Sequence, residues 1–147
     1  MFVVSIFLIF YFYLVFWHFD FAMDPINFDP ADGLKTPPHI YPEWYFLWSY
    51  EILRPFPKDP GLVAFGFAQV IFFLLPFLDK SPNVAPASRR GTFKVWFWVL
   101  LVDMIVLTVM GKLPPQGIFS TIGLVAAVIF IGLWVALPFI TKNEKAV

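Results

Sequence analysis

A chain of 147 residues that is 60% hydrophobic and 21% aromatic, with a mean hydropathy of +0.78, lies far outside the range of soluble globular domains; it reads as one integral membrane domain over residues 1–147. Its 10 Lys and Arg balance its 10 Asp and Glu, so net charge offers no basis for binding nucleic acid or acidic substrates. The absence of cysteine excludes thiolate-held iron–sulfur clusters, disulfides and covalently attached haem.

The first apolar run, about residues 1–19, is interrupted only by Ser5 before it reaches His18. At about 1.5 Å per residue it covers most of a ~30 Å hydrocarbon core. His18 and Asp20 mark its wet end, and Trp17 suits the interface. With neither a basic leader nor a small-residue cleavage site, it reads as a membrane span rather than a secretory signal. Beginning at Met1 without a polar flank, it is expected to abut another polypeptide.

The following loop, residues 20–59, carries Pro25, Pro30, Pro37, Pro38, Pro42, Pro55 and Pro57, a density that breaks any long helix. Its stretch from Tyr41 to Phe56 is too apolar to prefer water, and a short interfacial helix is expected from about Pro42 to about Leu53. There Glu43 stands between Pro42 and the aromatic residues Trp44, Tyr45, Phe46, Trp48 and Tyr50. An acid enclosed by such surroundings is hard to keep ionised and becomes a candidate proton acceptor. Glu51, one to two turns further on, is expected to face solvent.

Asp59 and Pro60 read as the N-cap and first residue of a second span over 60–78, with Gln69 as a helix-packing residue. A polar turn over 79–92 leads to a third span over 93–110, with Gly111 as its stop. Asp103, in the middle of that span, is either a functional acid or a hydrogen-bonding partner of a neighbouring helix. The fourth span covers about 120–140, with Ser120 as N-cap and with Gly123 and Gly132 thinning it for close packing.

The loop over 79–94 and the tail together carry six basic residues (Lys80, Arg89, Arg90, Lys94, Lys142, Lys145) against two acids, Asp79 and Glu144. The other side carries four (Lys35, Arg54, Lys58, Lys112) against seven (Asp20, Asp24, Asp29, Asp32, Glu43, Glu51, Asp59). The positive-inside rule therefore puts both termini on the cytoplasmic side and the proline-rich loop outside. The predicted fold is an all-α membrane protein of four transmembrane helices, with a long extracytoplasmic loop bearing a short interfacial helix.

The word Pro42-Glu-Trp-Tyr45, with Thr36-Pro-Pro-His-Ile40 before it and Ile52-Leu-Arg54 after it, closely resembles the quinol-oxidation motif of the cytochrome b family. The likeness extends from about Asp24-Pro25 through Pro76-Phe-Leu-Asp-Lys-Ser-Pro82 to Val102-Asp-Met-Ile-Val-Leu-Thr108, where the family also has an acid in this span. The presence of a fourth span resembles the respiratory proteins more than the shorter chloroplast subunit IV. The resemblance implies the C-terminal half of a respiratory cytochrome b as its own chain. Its function would be that of a membrane subunit of a quinol:cytochrome c oxidoreductase, inactive alone and forming part of the quinol-oxidation pocket. The alternative is a non-catalytic transmembrane scaffold subunit of a respiratory complex.

In that family one electron of the quinol goes to the cluster of a Rieske protein and the other to a low-potential haem, while both protons leave on the positive side. Carried over, Glu43 would take a proton from the quinol, Pro42 would shape the pocket, Trp44 and Tyr45 would line or support it, and Ile40 would belong to the rim where the Rieske head docks. The implied partners are a haem-bearing N-terminal cytochrome b chain, the Rieske iron–sulfur protein, a cytochrome c-type subunit and membrane lipid. Family haem is held by histidine pairs on facing helices, and this chain has only His18 and His39, both better suited to structural or interfacial roles. Haem b is therefore expected in the partner chain, with no metal ligand here. The Lys-Asp pair of the family's quinone-reduction site would fall just before Met1, so it is expected from the partner or from sequence upstream.

Overall fold

The computed structural model describes residues 2–21, 23, 25–31, 33–34, 40–82 and 85–144. The chain divides into two compact units, Met1–Pro38 and His39–Val147. Among the described residues the secondary structure is entirely helical.

The first unit is built on α1, Phe2–Trp17. Its 16 residues reach about 24 Å. Aromatic residues four apart stack along it, Phe7 on Tyr11, Phe12 on Phe16 and Tyr13 on Trp17, with ring centroids 6.4, 6.1 and 6.1 Å apart. None of its described residues is buried. A helix apolar on every side needs lipid or protein around it.

The second unit contains α2 (Leu47–Leu53), α3 (Lys58–Val70), α4 (Leu75–Leu78), α5 (Gly91–Lys112) and α6 (Ile118–Lys142). A 3₁₀ turn, Ile71–Leu74, joins α3 to α4 in one apolar rod, Lys58–Leu78. The turn has a local cause. Pro76 has no N–H for the Phe72 carbonyl, which instead accepts the Leu75 N–H in the tighter i+3 pattern. This rod, α5 and α6 are each long and apolar enough to cross a membrane.

The helix starts differ from the sequence reading in instructive ways. The α3 helix begins at Lys58 with Pro57 as its cap, so Asp59 lies inside the first turn, where its charge suits the helix dipole, rather than capping. The α6 helix begins at Ile118 because Gly117 adopts φ +55°, a conformation that favours glycine, three residues before the expected cap Ser120. Gly111 lies inside α5, not beyond it.

Residues spaced three and four apart turn inward on α5 (Phe93, Trp96, Leu100, Asp103, Leu107, Gly111) and on α6 (Gly123, Ala126, Ala127, Phe130, Trp134, Leu137, Thr141). Ring contacts tie these stripes together: Trp96 meets Trp134 at 5.2 Å, Trp134 meets Phe72 at 5.1 Å, and Phe72 and Phe130 each meet Trp48 of α2 at 5.8 Å. The Trp96 indole N–H donates to the Leu133 carbonyl at 2.8 Å.

One end of the bundle is closed by charge. Arg90 donates to both carboxylate oxygens of Asp79 at 2.7 and 2.8 Å and to Glu144 at 2.8 Å. Glu144 also accepts from the Ser81 and Thr92 hydroxyls and the Phe93 N–H. The Arg90 hydrogen bond holds the Asp79 carboxyl below its usual range. Burial pushes Glu144 upward, but its four donors together prevail and hold it low as well.

Candidate functional site

The segment from Ile40 to Arg54 folds as one piece. Pro42 donates nothing, and Glu43, at φ −55° and ψ 154°, keeps the chain extended until the 3₁₀ turn Trp44–Phe46. The Phe46 N–H closes that turn on the Glu43 carbonyl at 2.9 Å. The fully buried Ser49 hydroxyl donates to the Phe46 carbonyl at 3.0 Å, and the Tyr50 hydroxyl reaches the Ile40 carbonyl at 3.5 Å, the outer limit of a hydrogen bond. The expected helix from Pro42 is thus a turn followed by the seven residues of α2.

Glu43 is half-buried, and its side chain makes no hydrogen bond or ion pair among the described residues. Among the described residues of this unit the rings following it do not enclose it. Ile40, Trp44, Tyr45 and Phe46 are 69%, 64%, 52% and 46% exposed, so this unit presents them outward as an apolar patch. Trp44 and Tyr45 meet edge to face at 5.6 Å, and Tyr45 lies 4.8 Å from Phe46. The result is a carboxylate with its acceptor capacity open, beside a rank of uncovered aromatic rings.

Glu51 does not face solvent, contrary to expectation; it is 3% exposed. The face of α2 that carries Leu47, Glu51 and Ile52 turns into the bundle, and the Glu51 carboxylate rests against Gly123 of α6, where a side chain would collide with it. Burial raises the Glu51 pKa, and the charge and hydrogen bond of Arg54 work against that rise. Arg54 Nη1 donates to Glu51 at 2.8 Å and to the Met110 and Gly111 carbonyls at 3.1 Å each, while Nη2 donates to the Leu113 carbonyl at 2.9 Å. A cation thereby caps carbonyls at the C-terminus of α5, where the Met110 carbonyl also accepts the Leu113 N–H at 3.1 Å.

Glycines complete the seat of α2. A Cβ on Gly61 of α3 would stand 2.7 Å from the Leu53 carbonyl oxygen, and one on Gly111 of α5 would collide with the Leu47 carbonyl. Together with Gly123, a glycine on each of three helices faces α2. Gly132 has open space around it and plays no such part. The sequence reading missed Glu51 and Arg54 as members of this site. Their i,i+3 spacing of opposite charges inside an apolar segment was the available signal.

Asp103 lines an open groove of about 560 Å³ between α5 and α6, with Trp98, Val102, Thr121 and Ile129 among its walls. Its Oδ2 is buried, and the bond to a neighbouring helix, one of the two roles expected for it, is not made among the described residues. Gln69 Nε2 is in the same state. His18 is exposed and pairs with the Tyr13 hydroxyl at 2.9 Å, while His39 lies outside the described residues. Among the described residues no group of three or more His, Cys, Asp or Glu comes together.

The fold and this segment define a class: a membrane-embedded helical protein that displays a carboxylate and a rank of aromatic rings from a turn leading into a short helix seated on its bundle. Residues 30–145 match the profile of the family described as Cytochrome b(C-terminal)/b6/petD, and the chain belongs to that family. It is 39% identical over 143 residues to Cytochrome b of Rickettsia bellii (strain RML369-C), and 38% identical over 143 residues to that of Rickettsia conorii (strain ATCC VR-613 / Malish 7). Each alignment covers 96% of this chain and 36% of the relative. A solved structure titled "Hyperthermophilic respiratory Complex III" superposes with a TM-score of 0.84 at 40% identity, covering 97% of this chain and 36% of the other. The chain thus spans little more than a third of the length of these relatives and corresponds to their C-terminal part. Among the described residues no pair of facing helical histidines is formed that could hold the haem of cytochrome b: His18 lies just past the end of α1, exposed and paired with the Tyr13 hydroxyl.

Proposed function

We propose that this chain supplies the outer wall of a quinol-oxidation pocket in a quinol:cytochrome c oxidoreductase of the respiratory cytochrome bc type. The observation that carries this reading is the open carboxylate of Glu43 beside uncovered aromatic rings, in a segment clamped to the bundle. Quinol oxidation releases two electrons and two protons, and a hydroxyl gives up its electrons more readily when a base takes its proton. Glu43 is that base. Pro42 fixes the chain ahead of it, Trp44 and Tyr45 offer flat apolar surface to the quinol ring, and exposed Ile40 forms the rim where the Rieske protein docks.

The electrons leave for redox centres held by other chains, the Rieske protein and a haem-bearing N-terminal cytochrome b chain. A cytochrome c-type subunit completes the complex, and the chain is inactive without its partners. By charge, the Glu43 segment lies on the positive side of the membrane and both termini lie on the cytoplasmic side. A photoreactive quinol analogue applied to the intact complex tests the pocket. It should label residues 40–45 and be displaced by excess quinol. Displaceable labelling confined to other segments would contradict this assignment.

A further inference from the structure

Leu47 and Glu51 of α2 and Arg54, just past its end, lie one turn apart, and α2 meets the bundle through contacts that leave little slack. The Leu47 carbonyl lies against Gly111, the Glu51 carboxylate against Gly123, and Leu53 against Gly61. Arg54 then reaches across with its fork, gripping Glu51 and three carbonyls at the end of α5 at 2.8 to 3.1 Å. Both charged side chains are almost withdrawn from solvent, at 12% and 4% exposure. Arg54 also stacks over Tyr50, its Cζ 5.4 Å from the ring centroid. Tyr50 in turn contacts the Ile40 carbonyl, and Ser49 holds the Phe46 carbonyl, so the stretch containing Glu43 is tied at both ends to a fixed α2. Outside these tethers the Glu43 side chain has no partner among the described residues that would orient it.

We propose that the Glu51–Arg54 pair is the positioning element of the proton acceptor: by locking α2 onto the end of α5 and onto Gly123 of α6, it sets where Glu43 stands relative to the bound quinol. Neither residue touches the substrate. Both act through the backbone of residues 40–46. The inference rests on the reading of Glu43 as the base and adds to it a device for holding that base in place. A planar fork is needed, because one ammonium cannot serve Glu51 and three carbonyls at once.

The test is a cycle of variants in the intact complex: Arg54→Lys, Glu43→Gln and the double variant, assayed for quinol-dependent cytochrome c reduction across pH, with haem content as the measure of assembly. Arg54→Lys should assemble and lower kcat by about tenfold, since small misplacements of a reacting group are costly. It should keep the pH profile of the wild type, because Glu43 still accepts the proton. In the Glu43→Gln background it should cost less than about twofold, since there is no base left to position. An equal loss in both backgrounds, with Glu43→Gln itself slow, would overturn the positioning role while leaving the base in place. An unchanged rate in Glu43→Gln alone would instead remove the base and this inference with it. If Arg54→Lys lost haem, Glu51→Gln would carry the same cycle, because it keeps the shape of the pair and removes its charge.

Discussion

Replacing Gly111 by alanine tests the seating of α2 most sharply, because the added methyl meets backbone rather than a movable side-chain tip. It would collide with the Leu47 carbonyl oxygen and lie 3.0 Å from the carbonyl carbon and 3.1 Å from its Cβ. Ordinary carbon contacts are ~3.5–4.0 Å, so α2 must lift by at least about half an ångström. The lift stretches the Arg54 bonds to Met110 and Gly111, now 3.1 Å each. Overpacking of this kind costs about 1–3 kcal/mol. Taking ~2 kcal/mol, backbone amides of residues 47–54 should exchange hydrogen about 30-fold faster in the intact complex, while amides in the middle of α6 keep their protection. Gly132→Ala is the control; with open space around it, it should be neutral or stabilising by up to about 1 kcal/mol. Equal effects of the two substitutions would refute the claim that Gly111 exists to admit the Leu47 carbonyl.

Three further outcomes are expected. Arg90→Gln strands Asp79 and Glu144 beside one another and should lower stability by about 3–5 kcal/mol in thermal unfolding in mild detergent; a loss below about 1 kcal/mol would mark the cluster as an ordinary surface network. The two charge clusters should respond to pH with opposite sign. Asp79, held below its ordinary 3.8, contributes stability that is present above that value and lost on further acidification, so the deficit of Asp79→Asn should shrink toward low pH. Glu51, raised above its ordinary 4.5, contributes stability that is present below that value and lost as pH rises through its folded pKa; stability of the wild type relative to Glu51→Gln should therefore grow on acidification, and a flat difference would show that Glu51 is not held by burial. Cysteines at the exposed Asp29 and Ser88 should be labelled from opposite faces of sealed membranes, Ser88 from the cytoplasmic face, and labelling from one face would overturn the topology.

The long apolar helices are legible from sequence because hydrocarbon runs of that length have one use, and the inward stripes of α5 and α6 follow helical spacing. Their ends were less so. Nothing local says that Gly117 will start α6 through a positive φ, or that Pro57 rather than Asp59 will cap α3. The seat of α2 was illegible for a different reason. Gly111 after an apolar run has the signature of a helix stop, and only the approach of the Leu47 carbonyl shows that it makes room for another chain segment. Glu51 read as a surface acid because its burial depends on Gly123, 72 residues away in sequence. The Pro42 to Tyr45 word was visible at once, yet its rings are uncovered in this unit, and the relatives it matches are nearly three times as long.

The central claim is that Glu43 accepts a proton from quinol, and its most direct test is the pH dependence of steady-state turnover in Glu43→Gln. Glutamine keeps the size and hydrogen bonding of the side chain and removes the proton acceptor. General-base assistance is typically worth ~10²–10⁴ in rate, with the lower end expected where water has access. Turnover of the intact complex should therefore fall by about two orders of magnitude and lose its acidic limb, with haem content unchanged. Asp59→Asn, at an exposed acid in the first turn of α3, should leave both rate and profile as they are. A Glu43→Gln complex that turns over at the wild-type rate with the wild-type pH profile would contradict the account.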